Sequence, residues 1–315
     1  SKDIAGVASI NAGPLGSRRN IVFNGNGTIN QRFGTAANTT INTFGPDRWR
    51  SYGGALGFSW TTKSDAGEGD GYYMRFQRTA GDTQTNGTGI TQGLETKDST
   101  YLAGQEITLS FRARAGANWS PTSGRLQGFV VGGEGTDQNP VGMTNTDTII
   151  TVNADMSTGS SFATFSGSGT VPSDKTQIGI RFSFTPVGTA GADDYFDIRN
   201  IQVEIGGTTT TFEQLQIGDE LALCQRYYQI LPTLNVDYNA SGGSVFGYST
   251  VAFTTSMRAT PTMSAVPAAT GGAANNAAQI FTDNLTSGVS FRVQSTGSGR
   301  VYYLTAQGAT ASAEL

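Results

Sequence analysis

Residues 107–115 read ITLSFRARA. Ile107, Leu109, Phe111, Ala113 and Ala115 fall on one parity, and Thr108, Ser110, Arg112 and Arg114 on the other. A strand turns successive side chains to opposite faces, so this segment predicts a strand with one face in a core and one in water. The same beat recurs on both sides. Leu56, Phe58 and Trp60 alternate with small or polar residues. Tyr72, Met74 and Phe76 alternate with Tyr73, Arg75 and Gln77, and Ile178, Ile180, Phe182 and Phe184 follow the rule again. Strand signals begin at Asn20–Phe23, and about ten are expected between residues 20 and 205. Phe196 and Ile198 share a phase that Ile201, Val203 and Ile205 break, so a β-bulge is expected near Arg199–Asn200. Half-wet strands of this kind pair antiparallel, and two packed sheets bury their apolar faces. The fold class expected is all-β: a jelly-roll-like sandwich over residues 19–205.

One segment departs from this beat. TFEQLQIGDELALCQRYYQIL, residues 211–231, places Leu221, Cys224, Tyr228 and Leu231 at helical spacing. Leu223, Tyr227 and Ile230 form a second stripe. Asp219 is the expected N-cap and Pro232 the stop. A short helix that is apolar on two sides predicts burial between domains or against copies of itself. Beyond it, Val245–Phe253, Thr262–Val266, Gln279–Phe281, Val289–Val293 and Val301–Ala306 predict a second, smaller β-domain. Residues 235–244 and 268–278 are expected as its long loops. The domain plan is 1–18 N-terminal segment, 19–205 sandwich, 206–231 linker and connecting α-helix, and 232–315 C-terminal β-domain. The small, polar first residues read as a linker or as the start of a fragment.

Composition supports this plan and removes several chemistries. Of 315 residues 43 are Gly and only 14% are charged, which suits a turn-rich β protein. The sequence has no His and one Cys. Catalytic triads with His, Cys–His pairs, His-based zinc sites and intrachain disulfides are therefore excluded. A formal charge of −4 offers no general attraction to nucleic acid. No apolar run reaches the ~20 residues of a membrane helix, so no membrane insertion is expected. No cofactor is expected. Carboxylates in two Gly-rich stretches, Asp65, Glu68 and Asp70, and Asp193 and Asp194, are candidates for a structural Ca²⁺. Carboxylate-pair hydrolysis remains open by inventory.

Several segments resemble the distal parts of bacteriophage tail fibre proteins. They are RNIVFNGNGTINQRFG (residues 19–34), FGPDRWRSYG (44–53), DIRNIQVEIGGTTTTFEQLQIGDELALCQRYYQ (197–229), SMRATPTMS (256–264) and YYLTAQGATASAEL (302–315). The resemblance implies a carbohydrate-binding-module-like sandwich followed by a tip domain. It implies a non-enzymatic, homotrimeric virion protein, assembled in the host cytoplasm and built into the phage tail with other tail proteins. Its partner would be a host-surface polysaccharide or outer-membrane receptor. A structural or capsid-decorating fibre is the alternative, and a polysaccharide depolymerase a third.

The candidate residues each carry two readings. Trp49 of Asp47-Arg48-Trp49 is a sugar platform or, as favoured here, core beside an Asp47–Arg48 ion pair. Trp60 is in phase with the core. Trp119 lies in a Gly/Ser/Pro-rich turn and is a ligand-binding candidate or a loop anchor. Tyr73, out of phase with Met74 and Phe76, is expected at the surface, and Tyr238 is expected beside the first tip loop. Arg112 and Arg114, grouped with Arg75 and Arg78, would make a basic patch for acidic polysaccharide or simply a solvated face. Leu221, Cys224, Tyr227 and Tyr228 are expected at or near a trimer axis.

Overall fold

The computed structural model describes residues 9–10, 13–14, 18–54, 57–65, 71–232, 235–264, 271–272, 279–281, 286–295, 297–304 and 309–315. The chain divides into two units, Ser1–Gln216 with Leu315, and Ile217–Glu314. In the first, β1 (Ser9–Ile10) pairs with β2 (Gly13–Pro14). Ten strands follow: β3 (Arg50–Gly53), β4 (Phe58–Asp65), β5 (Gly71–Arg78), β6 (Thr88–Gly93), β7 (Glu106–Ala115), β8 (Arg125–Glu134), β9 (Thr144–Asp155), β10 (Ala163–Thr170), β11 (Gln177–Phe184) and β12 (Tyr195–Ile205). A helical turn, α1 (Thr96–Ser99), and a 3-10 turn lie between β6 and β7. Two five-stranded antiparallel sheets result, in the orders β10-β7-β12-β5-β4 and β3-β6-β11-β8-β9. This is the jelly-roll-like sandwich that the alternation predicts.

The core lies where that alternation puts it. Across the first sheet Phe76 pairs with Phe196, Phe196 with Ala115, and Leu109 with Val203. Ile90, Leu126, Val130, Ile180 and Phe182 from the second sheet are as fully buried. Aromatic rings bridge the layers: Phe111 meets Phe182 edge-on at 4.9 Å, and Phe76 meets Phe184 at 6.1 Å. Each such side chain contributes roughly 1.5–3 kcal/mol on burial. Space is tight at Gly89 of β6, where a Cβ would lie 1.8 Å from the Phe182 carbonyl oxygen.

The expected bulge is present. Arg199 pairs with Arg112 and Gln202 with Ser110, so β12 spends one extra residue there. Asn200 takes φ +52°. The slip lets Ile198 and Ile201 both enter the core with no exposed surface.

Asn20–Phe23, expected as a strand, forms none. Its polar groups are instead satisfied one by one. The Asn20 amide donates to Ile201 O at 3.0 Å, and its Oδ1 accepts from Val22 N and Val203 N. Asn24 Nδ2 donates to Ile29 O (2.7 Å) and Asp47 O (2.9 Å), while Trp49 Nε1 donates to Asn24 O (2.9 Å). Asp47 accepts from Gln31 N at 3.0 Å and faces Arg32 at 3.7 Å. Arg48 takes φ +71° and donates to Gly93 O. Asp47 thus sits among Gln31 and Arg32 beside the Asn24–Trp49 bonds. Trp49 and Trp60 are buried core.

The second unit begins with α2 (Ile217–Gln225), followed by β13 (Tyr228–Ile230), β14 (Asn235–Ser241), β15 (Phe246–Ala252), β16 (Thr262–Met263), β17 (Gly271–Gly272), β18 (Gln279–Phe281), β19 (Gly288–Gln294), β20 (Ser298–Leu304) and β21 (Thr310–Ser312). They form three three-stranded sheets, β13-β21-β16, β14-β20-β17 and β15-β19-β18. One cluster packs Leu231, Phe253, Met257, Val289, Phe291 and Ala309, Ala311 and Ala313. A smaller one packs Val236, Ala240, Val293 and Val301.

Three expectations need correction. The helix ends at Gln225, and Tyr228–Ile230 is a strand bonded to Thr310–Ser312. Aromatic and β-branched residues ahead of Pro232 favour extended backbone, and β21 supplies the ladder. Asp219 therefore sits in the first helical turn rather than at its cap. Residues 235–241 are strand, because Val236, Tyr238 and Ala240 alternate inward. Of the expected loop 268–278, only Gly271–Gly272 lies within the described residues.

Gly89→Ala should destabilise the sandwich by roughly 1–3 kcal/mol or more, since the clash is with backbone. Urea unfolding followed by tryptophan fluorescence measures it. An unchanged midpoint would mean that β6 and β11 are not packed as described.

Candidate functional site

The outward face of the β10-β7-β12-β5-β4 sheet carries the polar parity of each strand. Register brings Arg75 and Arg114 to either side of Asp197. Next along, Arg199 of β12 pairs with Arg112 of β7. Alternation and a bulge, two local features of sequence, thus assemble four guanidinium groups on one face.

Asp197 is the centre. It has no exposed surface and accepts three hydrogen bonds: Arg75 Nε to Oδ1 (2.7 Å), Arg75 Nη2 to Oδ2 (2.9 Å) and Arg114 Nε to Oδ2 (2.7 Å). Asp65 lies 3.9 Å from Arg114 at the margin. Burial works against the charge on Arg75, but its bonds to Asp197 and their Coulomb attraction outweigh that and hold its pKa above the ordinary arginine value. Arg114 is shifted the same way for the same reasons. Burial, then the Asp197 charge, raises the pKa of Tyr73.

Aromatic rings line the same face. Arg75 lies 3.5 Å over the Tyr195 ring. Phe162, just before β10, is buried with Arg199 at 4.3 Å, Arg114 at 4.4 Å and Arg112 at 5.7 Å from its ring centre. Tyr73 meets it edge-on at 5.6 Å. Guanidinium forks bind carboxylate, sulfate or phosphate by two points, and ring faces take apolar faces of sugars.

The candidates from sequence fall in different places. Arg75, Arg112, Arg114 and Tyr73 do meet. Tyr73 is covered by Phe162 instead of open, while Tyr72 at the strand start is 41% exposed. Arg78 is elsewhere: it is fully buried, donates to Asp194 Oδ2 at 2.8 Å and to three backbone carbonyls. Trp119 is a loop anchor, 6% exposed, with Nε1 on Gly124 O and its ring 4.8 Å from Phe184. The Gly/Ser/Pro turn folds it back to close one end of the core. Tyr238 is half-buried, and its hydroxyl donates to Val245 O at 2.9 Å. Cys224 and Tyr227 have no exposed surface and Tyr228 has 9%, so these three are spent within the chain. Leu221 keeps partial exposure.

Of the Ca²⁺ candidates, Glu68 and Asp70 lie outside the described residues. Asp194 is occupied by Arg78 and Ser120 N. Among the described residues no cluster of three or more His, Cys, Asp or Glu is arranged for a metal. Where three carboxylates do converge, Lys175 supplies the cation: Asp147 at 2.9 Å, Asp174 at 3.1 Å and Glu134 at 3.6 Å.

Sequence reading missed Asp197, Arg199, Tyr195 and Phe162. Asp197 and Arg199 do flank Ile198 in the polar phase, and that signal was present. Phe162 sits in a Ser-rich stretch with no periodicity.

No protein-family model matches the chain, and no curated protein matches it. Weak structural similarities exist. The enzymatically active domain of tailspike protein 4 of bacteriophage CBA120 aligns at 15% identity and TM-score 0.37, over 59% of this chain. The chain spans only 21% of that protein. The C-terminal family 22 carbohydrate-binding module of Clostridium thermocellum Xyn10B aligns at 16% and 0.34, over 52% of this chain and 89% of that one. A Stig cyclase from Fischerella sp. aligns at 11% and 0.39, over 61% and 100%. Neighbours this diverse select no activity.

Asp197→Asn should cost roughly 3–5 kcal/mol, because two guanidinium groups lose a buried counter-charge. Chemical unfolding at neutral pH measures this. A loss below about 1 kcal/mol would mean that water already serves both arginines.

Proposed function

We propose that the chain is a bacteriophage tail-fibre-type receptor-binding protein that adheres to the bacterial host surface through glycans. It acts without catalysis or cofactor, as a homotrimer in the virion tail beside other tail proteins. One observation carries the reading. The short segments that resemble tail fibres are far apart in sequence, yet they are bonded to one another. Asn20 N donates to Glu213 Oε2 at 2.7 Å, Arg19 to Thr210 Oγ1, and Asn200 N to Asn26 Oδ1 at 2.7 Å. Asn24, Gln31, Asp47 and Trp49 close the same network. Residues that share a structural task are expected to travel together in a family, so the scattered resemblance counts as one feature instead of several coincidences.

The arginine and tyrosine face supplies a surface suited to saccharides, and several copies on one particle would multiply weak contacts. For assembly, Ile217 is 63% exposed and Leu221, one turn on, keeps partial exposure. Ile230 is 47% exposed. These residues replace Cys224, Tyr227 and Tyr228 as the proposed contacts between copies.

Light scattering should give three times 32.9 kDa for the full chain. Ile217→Asp with Leu221→Asp should reduce it to one chain, and a wild-type monomer at micromolar concentration would refute the trimer. Incubation with host envelope polysaccharide tests the activity. Retention without new reducing ends supports adhesion. Oligosaccharide release would instead mark a depolymerase, and no interaction a structural fibre.

A further inference from the structure

The outward face of the other sheet, β3-β6-β11-β8-β9, carries arginines in a different setting. Register lays Arg50, Thr91, Arg181, Phe129 and Thr151 in one row across all five strands. Tyr52, Ser183 and Gln127 stand in the row beside it. The intervening residues Ile90, Ile180, Phe182 and Val130 fill the core, so both rows face out. Pro140 bounds the face on its far side, where a Cβ added to Gly179 would lie 2.6 Å from the Pro140 Cβ.

The Arg181 guanidinium lies 5.0 Å over the ring of Tyr52, which is 7% exposed. The Tyr52 hydroxyl and Arg181 Nε are both buried, and neither has a hydrogen-bond partner among the described residues. No carboxylate of those residues pairs with Arg181. Arg50 donates Nε to the Asn42 carbonyl at 3.1 Å and likewise has no acid beside it among them. By contrast Arg125, at the margin of the face, is matched by Asp155, and Arg75 on the first sheet by Asp197. Buried donors without an acceptor are few in native chains, and each calls for a cause. A guanidinium stacked on a ring keeps its edge for a two-point contact in its own plane, the geometry of carboxylate, sulfate or phosphate. Arg181 retains partial exposure, so that edge is reached with no covering group displaced. Phe129, its direct cross-strand neighbour, is also partly exposed.

We infer that Arg181, held on the Tyr52 ring, binds the oxyanion of an acidic saccharide on this face. Arg50 adds a second positive charge in the same row, Phe129 lies against the apolar side of the sugar, and Ser183 and Gln127 meet its hydroxyls. Charge complementarity chooses the ligand: two arginines without a carboxylate share one row, in a chain whose net charge is −4. The choice of a saccharide as carrier rests on the adhesion reading. Acidic sugars are then preferred to neutral ones of the same shape.

Two charged probes are titrated by calorimetry into the full chain: tetragalacturonate, which offers carboxylates, and neocarratetraose disulfate, which offers sulfates. The methyl ester of tetragalacturonate is the uncharged control. The wild-type chain should bind at least one charged probe more tightly than the ester, and which one names the anion. Arg181→Gln should weaken that binding about tenfold, the size of one charge-assisted contact, and leave the ester unchanged. Arg125→Gln removes the same charge from the margin and should change affinity by less than about twofold. Should Arg181→Gln fail to fold, Arg50→Gln on the edge strand β3 takes its place, with a loss of about threefold expected. No preference for a charged probe over the ester, an unchanged affinity in a folded Arg181→Gln chain, or an equal loss in Arg125→Gln each overturns the site. Host-cell retention of the wild-type chain separates this from the adhesion reading. Retention without any anion preference defeats this site alone, and anion binding without retention defeats adhesion alone.

Discussion

The bulge at Arg199–Gln202 is the constraint on which the first unit depends. Without its extra residue, either Ile198 or Ile201 would face water, and half of β12 would turn a polar row into the core. With it, both isoleucines are buried. The bulge also leaves ladder groups unpaired, and the N-terminal segment is built to meet them. Ile201 N donates to Gly25 O, Ile201 O accepts from Asn20 Nδ2, and Asn200 N donates to Asn26 Oδ1. Gly25 must be glycine for this approach, because a Cβ would sit 2.4 Å from Ile201 O. One irregularity in one strand therefore dictates the residues of a segment almost two hundred positions earlier.

The same irregularity decides what the outer face holds. Before it, Asp197 and Arg199 point outward; after it, Gln202 and Glu204 do. The second pair is closed over by residues 210–213: Thr210 N and Oγ1 bond the Glu204 carboxylate, and Glu213 N bonds Gln202. A buried carboxylate held by neutral donors and a buried carboxylate held by arginines sit on one strand. The first is purely structural. The second is held by Arg75 and Arg114, with Asp65 beside Arg114 at 3.9 Å. Buried ion pairs add little net stability against apolar replacements, so their value here is in fixing which groups point where.

Much of this was legible in the sequence, and the limits are physical. Strand parity located the core, the sandwich and the bulge, because burial imposes a period of two that composition cannot hide. The parity of β14 was equally regular, but its Asn, Asp and Ser content resembled a loop more than a strand. Helical spacing across Leu221–Leu231 was genuine up to Gln225. After that the pairing partner Thr310–Ser312, some eighty residues distant, overrode it. Trp119 and Phe162 both lie in irregular segments, where no period reports direction. Which aromatic folds inward and which covers a charged face is then set by tertiary neighbours alone.

The two units also differ in how they are held together. The sandwich joins ten strands over a core rich in Phe, Ile and Trp. Among the described residues the second unit has three sheets of three strands, and four of the twelve residues in its two buried clusters are alanine. Alanine removes little apolar area from water, so these clusters contribute much less per residue. Three strands reach independent stability only with an apolar face to bury or an element to pack on. Its exposed side chains include Ile217, Ile230 and Tyr248, the last 67% exposed with Phe246 at 6.4 Å and Arg292 stacked on Phe246. Association of copies would remove such apolar side chains from water. The proposed trimer would thus cover apolar side chains that the described sheets of this unit leave outside.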